Sequence, residues 1–298
     1  MSASPRTRSP LEPAVSALES ASFLDPAAKK IAKNARDTIP GGAVKDVLSG
    51  TWLGHALHPM LTDVVIGAFM SATLLDLFGG RDSDTASERL LAIGIAAYGP
   101  TAITGVNDWA DSEPADDGVR RVGLVHAAAN AVALSMYVGS LAARRRGASK
   151  RGKLLSLGGT AVMGAAGYLG GHLTFAQGVG PDQTVFDRGP TEWTPAVDAS
   201  QLPEGRPTRV VVDETPVLVL RDGSSVYAIH DRCSHRGCSL SEGAVEGEEI
   251  VCPCHGSRFD RRDGSVRQGP ATVPQPAFQV REREGRIELR RLDPNAAA

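Results

Sequence analysis

The chain has no surplus of charge. Its 32 Lys and Arg face 34 Asp and Glu, a formal net charge of −2, so there is no electrostatic case for binding nucleic acid, where affinity rests on cation–phosphate contacts. Cysteine is scarce. The four in 298 residues all fall between positions 233 and 254, which confines thiol chemistry to one short stretch. The start, Met1 to Ser20, lacks an apolar core of the length a cleavable secretion signal needs. The Leu, Val and Ala pattern up to Ala35 reads instead as an amphipathic or partly disordered helix.

The ordinary composition hides a regional contrast. Val122 to Ala143 carries no charge for 22 residues and Leu154 to Gly180 none for 27, each enough for the roughly 20 residues of a bilayer core. Leu90 to Val106 is uncharged over 17 residues despite Gly99-Pro100, and Pro59 to Gly80 is apolar apart from Asp63 and Asp76. Together these predict four transmembrane helices, since soluble core helices rarely run so far without charge. Gly164, Gly167, Gly170 and Gly171 on the fourth are expected close-packing positions.

The cysteines sit with two histidines as Cys233-Ser-His235-Arg-Gly-Cys238 and, thirteen residues on, Cys252-Pro-Cys254-His255-Gly-Ser257. One box is C-x-H and the other C-x-x-H. Two thiolates and two imidazoles suit a [2Fe-2S] cluster with Cys233 and Cys252 on one iron and His235 and His255 on the other. The same four donors would also suit a structural zinc, and four cysteines would suit two disulfides.

From about Thr208 to Leu292 the chain resembles the Rieske iron-sulfur proteins, specifically the disulfide-bearing kind of quinol-oxidising cytochrome complexes. The resemblance implies a Cys238–Cys254 disulfide clamping the two boxes, a proline-bearing loop at Gly269-Pro270-Ala271 covering the cluster, and a hydroxyl from Ser257 donated to a cluster sulfur. High-potential relatives add a tyrosine two positions after that serine. Phe259 stands there, so one donor is missing. Arg236 occupies a place that is usually aliphatic at the quinol-oxidising docking face. His230, three residues before the first ligand, reads as structural.

Short β-rich runs surround the boxes: Arg209-Val-Val-Val-Asp, Pro216-Val-Leu-Val-Leu, Ser225-Val-Tyr-Ala-Ile, Glu249-Ile-Val and Arg286-Ile-Glu-Leu-Arg, with turn signals at Arg221-Asp-Gly-Ser and Arg262-Asp-Gly-Ser. They imply a small antiparallel domain. Upstream, Thr51-Trp-Leu-Gly-His55-Ala-Leu-His58-Pro-Met-Leu-Thr-Asp63 resembles the opening of a bacterial four-helix membrane family of unknown function, over about residues 42–180. The expected organisation is multidomain α + β: a tail at 1–48, a four-helix membrane domain at 49–180, a linker at 181–207 and an all-β Rieske domain at 208–293.

Charge predicts orientation. The loop between the third and fourth spans holds Arg144, Arg145, Arg146, Lys150, Arg151 and Lys153, and the loop before it is rich in Asp108, Asp111, Glu113, Asp116 and Asp117. The positive-inside rule puts the basic loop in the cytoplasm. Four spans then place the Rieske domain on the outer side of a bacterial membrane, where a disulfide persists. Arg144-Arg145-Arg146 also resembles a twin-arginine signal, without the consensus that should follow it.

His55, His58, His126 and His172 fall toward that outer end, with Asp63 and Asn130 near them. Ionisable groups in membrane helices are costly and usually face a functional cavity. For His58, His126 and His172 three readings stand: a haem b held by two of them, a quinol site, or capping and interhelix hydrogen bonds. The whole reads as an oxidoreductase component, a membrane-anchored one-electron carrier whose partners are a donor and an acceptor such as a quinol, a cytochrome or another redox protein. The alternatives are a redox-sensing or assembly protein that uses the helices only as an anchor, and a ferredoxin serving an oxygenase. No mononuclear-iron triad is visible.

Overall fold

The computed structural model of the chain describes residues 10–292. Helices α1 (Glu12–Glu19), α2 (Asp25–Thr38) and α3 (Ala43–Ser49) come first, then α4 (Leu57–Phe78), α5 (Asp84–Ser112), α6 (Asp117–Arg145) and α7 (Ser149–Phe175), then ten strands. Two compact units result. One holds the residues up to Thr38 with His58–Val179, and the other holds Ile39–Leu57 with the residues from Gly180 on. The expected tail is therefore helical from residue 12. Its residues 1–9 lie outside the described residues.

The first unit is an all-helical bundle. Among the described residues, α4, α5 and α6 are long and apolar enough to cross a membrane. The expected fourth span, α7, is not one of these. It is long enough, but its seven glycines dilute its apolar character. Many large side chains of these helices point outward, among them Met70, Leu74, Leu77, Ile93, Ile103, Val132 and Leu154. That is the reverse of a water-soluble bundle and suits contact with lipid.

Inside, Phe69 stacks on Tyr137 with ring centroids 3.8 Å apart, amid Val65, Leu91, Leu141 and Met163. A ladder of hydroxyls runs beside them: Tyr137 Oη and Thr73 Oγ1 both meet Thr160 Oγ1, at 2.9 and 2.7 Å, and Thr73 meets Ser156 at 3.2 Å. Close packing along α7 falls at Gly159 against Tyr137 and Gly170 against His126, whereas Gly164 and Gly167 face open space. The expected glycine stripe is thus only partly used. Helix register, which the spacing of glycines alone does not fix, decides which of them meets a neighbour.

Three of the charges read as loop residues, Asp111, Glu113 and Arg144, are buried, and so are Arg120 and Arg121. Arg120 donates to Glu113 at 2.6 Å, Arg121 to Asp25 at 2.8 Å and Arg36 to Glu113 at 2.8 Å, tying α2 to α5 and α6. At the opposite end Arg144 pairs with Asp76, the two side chains 1% and 4% exposed. A buried charge that loses its partner costs about 3–5 kcal/mol. Asp76→Leu, which strands the guanidinium, is expected to destabilise the bundle by about that much, and Asp76→Leu with Arg144→Leu by clearly less. Thermal unfolding in detergent measures both, and an equal loss would mean that charge pairing is not what the site supplies.

Besides α3, the second unit is built around two β-sheets. β1 (Thr194–Asp198), β2 (Thr208–Val212), β3 (Thr215–Asp222), β4 (Ser225–His230), β9 (Ala277–Arg283) and β10 (Arg286–Arg291) form an antiparallel sheet in the order β1-β10-β9-β4-β3-β2. β5 (Ala244–Glu246), β6 (Glu249–Val251), β7 (Arg258–Asp260) and β8 (Val266–Gln268) form the other. The predicted runs became β2, β3, β4, β6 and β10. Residues 181–207, expected as a linker, contain β1, whose register shifts between Pro195 and Val197 against β10. That irregularity removes the alternation by which a strand is recognised. The buried core beneath the loops comprises Leu218, Leu220, Ile229, Leu240, Ile250 and Phe259, with Cys233 and Cys252 among them.

Candidate metal centre

Two loops carry the Cys and His boxes, one after β4 and one after β6. They fold alike. In the first, Cys233 N donates to Cys238 O and Gly237 N to Cys233 O, both at 2.8 Å; in the second, Cys252 N donates to Ser257 O at 2.8 Å and Gly256 N to Cys252 O at 3.1 Å. Gly237 and Gly256 take the same place in each turn, with φ of 78° and 76°, a left-handed conformation that a side chain makes costly. The turns aim successive amides at the sulfurs. Cys233 receives the N–H groups of His235 and Arg236, and Cys252 those of Cys254 and His255. Such nests of N–H groups favour anionic sulfur.

The donors converge in two pairs. Cys233 and Cys252, 1% and 2% exposed, are close enough to share a hydrogen bond. That bond and burial push the Cys233 thiol well up, while the same bond and the two loop amides bring Cys252 down to about 7. The rings of His235 and His255 meet edge-to-face with centroids 5.0 Å apart. Burial, then the charges of Arg236, His255 and Lys45, push His235 well below the usual histidine range, leaving a neutral imidazole able to ligate. Among the described residues no three His, Cys, Asp or Glu side chains gather around one point as a single ion would require. A thiol pair beside an imidazole pair suits a two-iron cluster better than one tetrahedral zinc.

Cys238 and Cys254 are joined by a disulfide with Cα atoms 6.5 Å apart, one residue from each loop. Ser257 is fully buried, and its Oγ accepts the Ala271 N–H at 3.0 Å, which leaves its proton to give. Phe259 packs in the core with the two thiols. His230 is fully buried: its Nδ1 accepts the Arg232 N–H at 3.0 Å, and its Nε2 lies 3.6 Å from Asp187. Burial lowers its pKa against the pull of that carboxylate.

Supports not expected from the sequence complete the site. Gln275, buried, accepts the Ser234 N–H at 3.0 Å and donates to Arg232 O at 2.9 Å, bracing the first loop from a position 41 residues away. Asp231 accepts Ser239 Oγ at 2.6 Å and Ser241 N at 2.7 Å. Asp46 and Thr51, which bond the Gly269–Ala271 loop, come from far upstream. No local pattern announces a pairing across more than 200 residues.

The membrane histidines are engaged differently. His58 Nδ1 donates to Thr101 O at 3.0 Å on α5. His126 Nδ1 donates to Ala166 O at 2.8 Å on α7, while its Nε2 faces the Asn130 amide at 3.2 Å. His172 Nε2 donates to Glu19 at 2.9 Å on α1. All three lie at the end of the bundle away from the Arg144–Lys153 loop, but each ring is tied to a different helix. These are interhelix hydrogen bonds. A haem b held by two of these rings has no support here.

Replacing His255 with Ala is expected to abolish a Rieske electron paramagnetic signal, and His230→Ala to preserve it; loss of the signal in both variants would make the four-donor set incomplete. Cys238→Ser is expected to leave the signal but to speed loss of iron to a chelator, because the two loops are no longer clamped. Free thiols at both Cys238 and Cys254 in the isolated protein would contradict that clamp.

Comparison with known proteins bears on both units. A family model for the Rieske [2Fe-2S] domain matches residues 192–279, and one described as a predicted membrane protein, DUF2231, matches 54–183. The ferredoxin subunit of anthranilate 1,2-dioxygenase from Burkholderia cepacia is 35% identical over 33% of this chain and 91% of its own length. Ferredoxin CarAc from Metapseudomonas resinovorans is 38% identical over 32% of this chain and 90% of its own. Among solved structures, the ferredoxin of carbazole 1,9a-dioxygenase from Nocardioides aromaticivorans IC177 is 38% identical, with 33% of this chain and 96% of that one covered and a TM-score of 0.32. With its cluster loops and the similarity spanning nearly the whole of those ferredoxins, the chain belongs to the Rieske [2Fe-2S] family, its Rieske domain following a DUF2231 membrane domain.

Proposed function

We propose that the chain is a membrane-anchored one-electron carrier whose [2Fe-2S] cluster is held by Cys233 and Cys252 on one iron and by His235 and His255 on the other. The observation that carries this reading is the pairing of two buried thiols beside two imidazoles at the tips of matching turns. When bound, the cluster supplies reversible one-electron chemistry at a potential raised by its neutral imidazole ligands. The loop amides stabilise the sulfurs, Ser257 offers a further proton to them, and the disulfide holds the loops together. His235 and His255 are only half-buried, so the imidazole side of the site is the side open to a partner.

The partner is another redox protein. Both curated relatives are ferredoxin subunits or ferredoxins by name, and a protein acceptor needs only an exposed imidazole edge, not an enclosed quinol pocket. A quinol remains the second reading, supported by the membrane anchor and the disulfide. With α7, uncharged from Leu154 on, as a fourth crossing, the Rieske domain is proposed to lie on the outer side of the membrane, a reading supported by the basic Arg144–Lys153 segment and by a disulfide of the kind that persists in oxidising compartments.

The test uses the purified chain in lipid vesicles, reduced with dithionite and freed of excess reductant. Reoxidation by an oxidised soluble redox protein, with quinone having no effect, supports the reading. Reduction of the oxidised chain by membrane quinol, with no exchange with a soluble redox protein, would transfer the partner role to the quinol. The potential tests the surroundings of the sulfurs: Ser257→Ala is expected to lower it and Phe259→Tyr to raise it, followed by titration of the paramagnetic signal. An unchanged potential in both variants would mean that hydroxyls at these positions do not reach the cluster.

A further inference from the structure

Residues 43–53 belong to neither matched region, since the membrane family begins at 54 and the Rieske family at 192. They nevertheless fold with the Rieske domain. α3 ends at Ser49, capped by Gly50, and a single turn of 3-10 helix follows at Thr51–Leu53. From this short piece two side chains reach the proline-bearing loop. Asp46 Oδ1 accepts the Gly269 N–H at 2.8 Å, and Thr51 Oγ1 donates to Ala271 O at 3.2 Å. The approach is so close that a Cβ on Gly269 would run into the Thr51 hydroxyl.

The far side of the same loop is held from within the Rieske domain, where the Ala271 N–H donates to Ser257 Oγ at 3.0 Å and Ser257 O accepts the Cys252 N–H at 2.8 Å. Three backbone groups of Gly269–Ala271 are thus fixed, two by the upstream segment and one by Ser257. Ala271 and Ser257 are both fully buried. The loop is a plate between segment 43–53 and the residue that carries a candidate sulfur-directed hydroxyl.

Resting on the cluster reading above, we propose that residues 43–53 are a clamp in the same chain on the loop that covers the cluster, with Asp46 and Thr51 as positioning residues that hold Gly269–Ala271 against Ser257. The stability and the spectrum of the cluster then depend on a segment that the Rieske domain does not itself contain. An Asp46 carboxylate is worth more here than a neutral acceptor, because hydrogen bonds to charged groups are the stronger ones.

The test compares the full-length chain with its Asp46→Ala and Thr51→Val variants, and uses Asp46→Asn and Thr51→Ser for rescue, since each keeps the bonding oxygen. Amide hydrogen exchange across residues 269–271 is measured on protein without iron and again after reconstitution. Asp46→Ala is expected to speed exchange at Gly269 on the order of tenfold, the worth of one charge-assisted hydrogen bond. In reconstituted protein it should quicken iron loss to a chelator and shift the paramagnetic signal and the potential, with rescue by Asn and Ser. Thr51→Val is nearly isosteric and should show the same spectral shift in a folded chain even where Asp46→Ala folds poorly. Unchanged exchange at Gly269 and an unchanged signal in both variants would overturn the clamp. Failure of the wild-type chain to give a Rieske signal would overturn the ligand reading alone, because exchange without iron still decides whether Asp46 holds the loop.

Discussion

Two thiols buried side by side are hard to keep charged, and the Rieske domain is organised around that difficulty. Cys233 and Cys252 sit in the core with Ile250, Leu240 and Phe259, where isolated negative charge is costly. Matching turns answer the problem with amides, two aimed at each sulfur. The turns in turn need a left-handed residue, supplied by Gly237 and Gly256, and a cross-link, supplied by Cys238–Cys254. Gln275 and Asp231 brace the first loop from behind. The sheets are the frame that brings the two turns together.

Much of this was legible in the sequence because its signals are local. The donor boxes are short, the turns carry Gly at fixed offsets, and β2, β3, β4 and β10 are β-rich runs of five to eight residues set off by turn signals. β5, β7 and β8 are three residues each, too short for a period to emerge. What the sequence hid is long-range pairing. Nothing near Asp46 announces Gly269, and nothing near Arg121 announces Asp25. Tertiary structure buries such an arginine with an acid from another helix.

The membrane domain shows the same limit from the other direction. His58, His126 and His172 do fall at one end of the bundle, as the run of apolar segments implied. Each ring binds a different helix, and His126 lies on the face that Gly170 leaves open. The polar ladder from Tyr137 to Ser156 and the Arg144–Asp76 pair stiffen the interior where small residues give little apolar packing. The bundle is therefore read as an anchor built from interhelix hydrogen bonds, and the redox chemistry is assigned to the Rieske domain.

The central claim is that four donors in two pairs hold a two-iron cluster and not a single zinc. Metal and sulfide analysis of the purified full-length chain, with a paramagnetic spectrum after dithionite reduction, addresses it most directly. The account predicts iron and acid-labile sulfide in equal amounts and a Rieske signal on reduction. Zinc in place of iron, with no acid-labile sulfide and no signal, would contradict it.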